Sequence, residues 1–311
     1  MTDTSIPSLL SHFPKTETSV ALINPVSGKR VTDVPQMSAE QVQGAMDKLR
    51  VAAKDWADTP VRERAKAIAR LHDVMFENRD KLLDVLQLET GKSRAHAFEE
   101  FAGAAGGARY YGKHAPDFMA SERTAGGIPI LTRTWVEHEP VGLVGVITPW
   151  NYPMALTMLD VLPALAAGNV VIQKADNQTP LSVLFCRLMA VEAGIPEDVW
   201  TVVVGDGPTV GNAITDHVDY VAFTGSTNTG RAVAERASRR LIGYSLELGG
   251  KNPMIILEGA KVDRAAELTI AAAFGSAGQL CVSTERVYVH NSIKDAYIQE
   301  LVSRTESLSL G

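Results

Sequence analysis

Cysteine is scarce in this chain: two residues in 311, Cys186 and Cys281. So sparse a supply provides no disulfide framework, and a chain this long can bury a sizeable core without a disulfide or metal staple. Basic charge is not in excess. Thirty Lys and Arg against 36 Asp and Glu give a formal net charge of −6, and no basic stretch interleaves with aromatic residues, so no nucleic-acid partner is expected. No apolar run reaches the roughly 18 residues that a membrane helix needs. Met1-Thr2-Asp3-Thr4-Ser5 has no positive segment leading into an apolar one, so no secretory signal and no membrane partner are expected. Internal repeats, low-complexity tracts and Pro/Gly/Ser-rich linkers are absent too. What is present is ordinary globular composition, 45% hydrophobic and 21% charged, in a length that suits two domains or one large α/β domain. The expectation is a reduced, soluble, cytoplasmic protein.

The pattern along the chain is that of strands alternating with helices. A polar, proline-broken start leads to a strand at Val20–Ile23 and a short hairpin. Ser38 with Gln41 makes a capping box ahead of a helix to about Ala57; a second helix runs from about Val61, and a third reaches Thr90, where Gly91 terminates it. Residues from Ile128 to Glu139, rich in β-branched and aromatic types, predict a strand pair. A short apolar run from Val141 to Ile147, a helix to Ala167 and the strand Val170–Lys174 then form a βαβ unit. The alternation repeats through Pro180–Ala193, Trp200–Val204, Thr209–Ile214 and Tyr220–Phe223, which predicts a doubly wound, mostly parallel sheet with helices on both faces. Further strands are expected at Tyr244–Leu248, Pro253–Leu257 and Val287–Val289, with a helix at Arg264–Ala273 ahead of Cys281. Pattern alone puts a domain boundary near Leu246.

In such a sheet a ligand binds beyond the carboxyl ends of the strands, where loops feed helices. Three loops have that position: Thr148-Pro149-Trp150-Asn151, Lys174-Ala175-Asp176-Asn177, and Phe223 to Gly230. The last has phosphate-loop glycine spacing, but Arg231-Ala232 stands where a triphosphate loop needs Lys-Ser/Thr, and by itself the loop reads better as a glycine-capped turn. Lys174 offers a cation to a ribose or phosphate, or is a solvated strand end. Asn151 could donate to an oxyanion or simply form the turn before Tyr152-Pro153. Glu247 is a general base or a strand-face carboxylate in a salt bridge. Cys186 lies in an apolar helical stripe, as a buried thiol does. Cys281 differs: in Gly275-Ser276-Ala277-Gly278-Gln279-Leu280-Cys281-Val282-Ser283, small neighbours leave room for a substrate carbon and free N–H groups, as a nucleophile requires.

Taken in order, Thr148-Pro149-Trp150-Asn151, Lys174, Phe223-Thr224-Gly225-Ser226, Leu246-Glu247-Leu248-Gly249-Gly250-Lys251 and Gly278-Gln279-Leu280-Cys281 closely resemble the aldehyde dehydrogenase superfamily. The likeness extends over essentially the whole chain, taking in Glu89-Thr90-Gly91-Lys92 and Ala193-Gly194-Ile195-Pro196. It implies an α/β chain with a Rossmann-like cofactor domain (1–127 and 141–245), an oligomerisation strand pair (128–140) and the N-terminal part of an α/β catalytic domain (246–311). It also implies that Cys281 attacks an aldehyde, that Asn151 and the Cys281 N–H hold the oxyanion, and that Glu247 activates the water that hydrolyses the thioester. By the same likeness Trp150, Gly225 and Ser226 bracket a pyrophosphate, Lys174, Ala175, Asp176 and Asn177 face the adenosine ribose, and Leu248 approaches the nicotinamide. Members specific for NAD commonly carry glutamate at the position of Asn177. The neutral amide and Lys174 therefore favour NADP, with NAD possible, and Asp176 opposes that preference.

Among subgroups the pattern is most similar to succinate-semialdehyde dehydrogenases of the NADP type. Those enzymes carry an arginine eight residues after the asparagine and another six before the cysteine, where this chain has Leu159 and Gly275; a broader aliphatic or aromatic aldehyde is the alternative. Family chains are also longer, continuing through a Glu-x-Phe-Gly-Pro segment and a C-terminal assembly strand. The expectations are thus an oxidising enzyme or a short product that binds cofactor without turnover, a homo-oligomer for a full-length form, and Val287–Val289 as an unpaired sheet edge.

Overall fold

The computed structural model of the chain describes residues 5–128 and 130–309. Despite the polar start, a short helix α1 (Ile6–Leu10) forms there, anchored by a fully buried Leu9. Strands β1 (Ser19–Ile23) and β2 (Arg30–Pro35) make the expected antiparallel hairpin. Helix α2 (Ala39–Asp58) opens on the capping box: Gln41 N donates to the Ser38 hydroxyl at 3.3 Å, and Ser38 N donates to the Gln41 side chain at 3.0 Å. Helices α3 (Val61–Glu77) and α4 (Arg79–Thr90) bury Ile68, Leu71 and Met75, and Leu82, Leu83 and Leu86. Gly91 ends α4 at φ 69°, the left-handed cap that glycine adopts without strain. Helix α5 (Arg94–Phe118), not anticipated from the sequence, buries mostly alanines, Ala97, Ala104, Ala105 and Ala108, around Phe101. So weak a hydrophobic contrast leaves little periodic signal.

The strand pair lies partly outside its predicted range. Strands β3 (Glu122–Thr124) and β4 (Thr134–Val136) pair antiparallel, so the first strand precedes Ile128. The β-branched residues between them fall in a turn instead, because Thr132 folds back on Ile128: its hydroxyl donates to Ile128 O at 2.9 Å and accepts from Ile128 N at 3.0 Å. Pro129, within the predicted pair, lies outside the described residues.

The central sheet follows the predicted alternation. Its elements are β5 (Leu143–Ile147), α6 (Pro153–Ala166), β6 (Val170–Lys174), α7 (Pro180–Glu192), β7 (Trp200–Val203), a π-helical turn (Gly207–Gly211) running into α8 (Asn212–Thr215), β8 (Tyr220–Gly225), α9 (Thr227–Arg239) and β9 (Gly243–Leu248). The strand order is β7-β6-β5-β8-β9, with β5 parallel to both β6 and β8, and β6 parallel to β7. Strands β5 and β6 are buried along their full length, as a parallel sheet covered on both faces requires. The chain builds outward from β5 on one side, then returns to its other side, which opens a crevice at the carboxyl ends of β5 and β8. Inside this apolar core Gln173 is completely buried and fully engaged: its amide donates to Thr148 Oγ1 at 3.1 Å and Thr157 Oγ1 at 2.6 Å, and accepts from Trp200 Nε1 at 3.1 Å. Buried Arg64 ties two helix ends together, donating to Ala57 O at 3.1 Å in α2 and Ala166 O at 3.0 Å in α6.

The chain divides into two compact units. The first takes in the chain to Gly91 and Ala97–Glu247; the second takes in Lys92–His96 and the chain from Leu248 on. The second contains β10 (Asn252–Ile256), α10 (Val262–Phe274), a tight turn (Gly275–Gly278), β11 (Thr284–Val289) and α11 (Lys294–Glu306). Its core gathers on Ile256, Ala266 and Tyr297, with the Tyr297 hydroxyl donating to Thr269 Oγ1 at 2.8 Å. Strand β11, expected as an unpaired edge, pairs in parallel with β10 through Ile256 and Val289. Among the described residues no helix is long and apolar enough to cross a membrane.

Candidate functional site

In the first unit a cleft of 570 Å³ opens at the carboxyl ends of β5, β6 and β8, lined by Trp150, Lys174, Asp176, Gly225, Ser226 and Thr229 among others. Which helix start faces it follows from the buried acids. Glu100 takes the α6 N-terminus, accepting from Met154 N at 2.8 Å and Ala155 N at 3.3 Å. Glu89 takes the α7 N-terminus, accepting from Leu181 N at 2.7 Å, Ser182 N at 2.8 Å and the Ser182 hydroxyl at 2.6 Å. Helix α9 is capped instead by its own Ser226, whose hydroxyl accepts from Thr229 N at 3.2 Å. Its first turn therefore keeps its dipole toward the cleft, where an anion would be stabilised. Gly225 is needed just ahead of it, since a Cβ there would lie 2.6 Å from the Phe223 ring.

Lys174 is buried at the end of β6 and donates to Ala175 O at 3.3 Å. Burial lowers its pKa, while the negative charges of Asp176 and Asp206 pull it back up. Ala175 is fully buried and engages through backbone, its N–H donating to Val203 O at 3.0 Å. Asp176 is half-buried and accepts from Gln178 N at 2.9 Å. The side chain of Asn177 is occupied elsewhere: it donates to Gln36 at 3.0 Å and accepts from Gly205 N at 3.2 Å, tying the N-terminal hairpin to the end of β7. Asn151 follows Trp150 in the turn before α6 and is half-buried.

Glu247, exposed near the end of β9, has a neighbour that sequence reasoning missed. The half-buried carboxyl of Asp160, on α6, is pushed from its ordinary 3.8 up to about 6, first by burial and then by the charge of Glu247. Burial raises the pKa of Tyr111, on α5, and the charges of Tyr110 and Asp160 add to the rise. An aspartate in an apolar helix, 87 positions before Glu247 in the chain, carries no local sign of this.

In the second unit the two-thiol contrast with the first becomes concrete. Cys281 is exposed, whereas Cys186 is buried in α7, where burial pushes its thiol well above the ordinary range. The Cys281 loop leaves the α10 end through Ser276, Ala277 and Gly278 at φ 50°, 58° and 74°, three consecutive left-handed residues. It is clamped further on by Asn252, whose amide donates to Cys281 O at 2.6 Å and Ser283 O at 3.0 Å. The Ser283 hydroxyl lies 3.2 Å from both Ala272 O and Ala273 O, closing the loop onto α10. Leu248, half-buried, begins this unit.

Residues 13–311 match the model of the aldehyde dehydrogenase family. The chain belongs to the aldehyde dehydrogenase family. It is 48% identical over 284 residues to a protein of Mycolicibacterium smegmatis named "Putative succinate-semialdehyde dehydrogenase [NADP(+)]", covering 91% of this chain and 55% of that one. It is 34% identical over 303 residues to the succinate-semialdehyde dehydrogenase [NADP(+)] GabD of Escherichia coli K12, covering 94% and 61%. In structure it is similar to succinate-semialdehyde dehydrogenase from Burkholderia pseudomallei, with a TM-score of 0.91, 33% identity, and coverage of 95% and 61%. The chain thus spans little more than half the length of these relatives. The aldehyde dehydrogenase fold, read from five ordered motifs, is the fold observed, with its parallel sheet and covering helices.

Proposed function

We propose that this chain carries the chemistry of an aldehyde oxidation to a carboxylic acid, dependent on NADP, with succinate semialdehyde the leading substrate. The observation that carries the reading is Cys281: an exposed thiol on a clamped loop, at the place the family pattern gives the nucleophile, in a chain whose other cysteine is buried. In this reading the first unit is the cofactor-binding domain, the second begins the catalytic domain, and β3 with β4 serves assembly of a homo-oligomer in the cytoplasm.

The cleft suits a dinucleotide. The α9 N-terminus, with Ser226 and Trp150, offers N–H dipoles and a ring to a pyrophosphate, and Lys174 offers a cation to the adenosine ribose. Asn177 brings no charge against a 2′-phosphate, and its amide is already held by Gln36 and Gly205. Bound NADP, or NAD, would supply the acceptor for the electrons that leave the aldehyde. The Cys281 sulfur attacks the aldehyde carbon to give a tetrahedral thiohemiacetal, whose oxyanion accepts hydrogen bonds from the Asn151 amide and the Cys281 N–H. Oxidation leaves a thioester, and Glu247 takes a proton from the water that cleaves it, releasing the acid and the thiol. Leu248 borders the nicotinamide.

A second substrate reading has its own support. Leu159, 53% exposed, and Gly275 stand where arginines would pair a distal carboxylate, which favours a broader range of aldehydes. The test is to add NADP and succinate semialdehyde, then simple aliphatic and aromatic aldehydes, and follow absorbance of the reduced cofactor. Cys281→Ser should abolish the signal, and Glu247→Gln should leave one burst without turnover. Cofactor binding with no signal from any aldehyde would favour a binding-only product, and loss of the burst in Glu247→Gln would refute the division of roles.

A further inference from the structure

We infer that His96 is a positioning residue for the Cys281 loop, holding the left-handed turn before the cysteine through the Nδ1 atom of its ring; the inference rests on the reading of Cys281 as nucleophile. Ser276 and Ala277 both carry a Cβ and both sit at positive φ, a conformation that is strained for an L-residue. Such a turn persists only where its surroundings fix it. The fixing contact comes from 180 residues earlier in the chain, within the same compact unit: Ser276 N lies 3.3 Å from His96 Nδ1. A backbone N–H can only donate, so Nδ1 must accept, and the ring carries its proton on Nε2.

The ring is itself held. The Ser93 hydroxyl lies 3.0 Å from the same Nδ1 and therefore donates to it, while its oxygen accepts from His96 N at 3.3 Å, the capping contact of the first turn of α5. A Cβ on Gly275 would come within 4.0 Å of Nε2, so the ring also packs along the backbone that enters the turn. Ser276 is buried, and its carbonyl accepts from Gln279 N at 3.1 Å, which closes the turn. The path to the nucleophile is thus pinned at both ends, by His96 at Ser276 and by Asn252 at Cys281. Loosening the His96 end frees the direction of the Cys281 N–H and thiol without touching either group.

The test separates the acceptor atom from the bulk of the ring. His96→Asn puts an oxygen where Nδ1 stands; His96→Gln carries its oxygen one atom further out, where Nε2 stands; His96→Ala has neither. Hydrogen exchange followed by mass spectrometry, with no aldehyde or cofactor present, should show amides of the segment 276–281 exchanging about tenfold faster in the Ala and Gln variants, the worth of one ordinary hydrogen bond. The Asn variant should match the parent, and exchange in β10 and β11, in the same unit, serves as the folding control. The rate of Cys281 alkylation by iodoacetamide should shift in the Ala and Gln variants and be restored in Asn. If the Ala variant does not fold, the Asn and Gln pair decides alone. Equal exchange in all variants, equal acceleration in Asn and Gln, or a faster loop with an unchanged thiol rate would each overturn the inference. Because neither readout needs turnover, a chain that oxidises no aldehyde still returns an answer.

Discussion

Asp160→Asn should stabilise the protein at neutral and alkaline pH and do nothing in acid. Asp160 sits half-buried on α6, where burial and the charge of Glu247 raise its carboxyl from the ordinary 3.8 to about 6. The folded state therefore binds a proton more tightly than the unfolded one. Below about pH 4 both states are protonated and the favourable interaction is fully present; as pH rises through 6 the native chain must ionise a carboxyl it would rather keep neutral, and that stability is lost. At 1.36 kcal/mol per pKa unit, the rise from 3.8 to about 6 corresponds to on the order of 3 kcal/mol. Asp160 is only partly buried, so solvent screens part of this, and a gain of roughly 1–3 kcal/mol is expected at pH 8. Asparagine keeps the shape and removes the titration. Urea unfolding of both proteins from pH 4 to pH 8 measures the difference directly: it should open between pH 4 and 6.5 and stay level above. A difference of equal size at pH 4 and pH 8 would show that the carboxyl is not held by burial and Glu247, and would refute the reasoning.

Gly225→Ala should force the Phe223 ring away from a Cβ placed 2.6 Å from it, distorting the cleft wall; NADP affinity measured by fluorescence titration should fall by about tenfold or more, and an unchanged Kd would place the dinucleotide elsewhere. Gln173→Leu should leave Trp200 Nε1 buried without its acceptor and two threonine hydroxyls without their donor, costing at least about 3 kcal/mol, at 1–3 kcal/mol per abandoned group. A urea midpoint that does not move would show that these groups find other partners.

The sheet was legible because a parallel core writes itself as short apolar runs. Leu143–Ile147 and Val170–Lys174 are buried from end to end, and each is bounded by a glycine, proline or polar turn that marks its limits. Helix α2 was legible for a local reason, since Ser38 and Gln41 cap it within one turn. Helix α5 was not, because alanines on its inner face and exposed aromatics such as Phe98, Tyr110 and Phe118 on the other give no sharp period. The strand pair slipped for a different reason: β-branched residues between β3 and β4 were read by type, but the Thr132 hydroxyl competes for the backbone there and makes a turn.

The site divides along the same line. Residues whose placement depends on strand ends could be located by position: Trp150, Lys174, Gly225 and Ser226 line one cleft. Residues whose role depends on long-range neighbours could not. Asn177 was set against the ribose by the family resemblance, yet its amide is committed to Gln36, 141 positions away. Glu89, part of a motif that the sequence offers only as a helix end, turns out to occupy the α7 N-terminus. Together with Glu100, which lies on α5 and accepts from the first turn of α6, it leaves the α9 start as the one open to an anion. The assignment of α9 to that task follows from where these two carboxyls lie in space, and it would fail for a chain with the same glycine loop and apolar residues at 89 and 100.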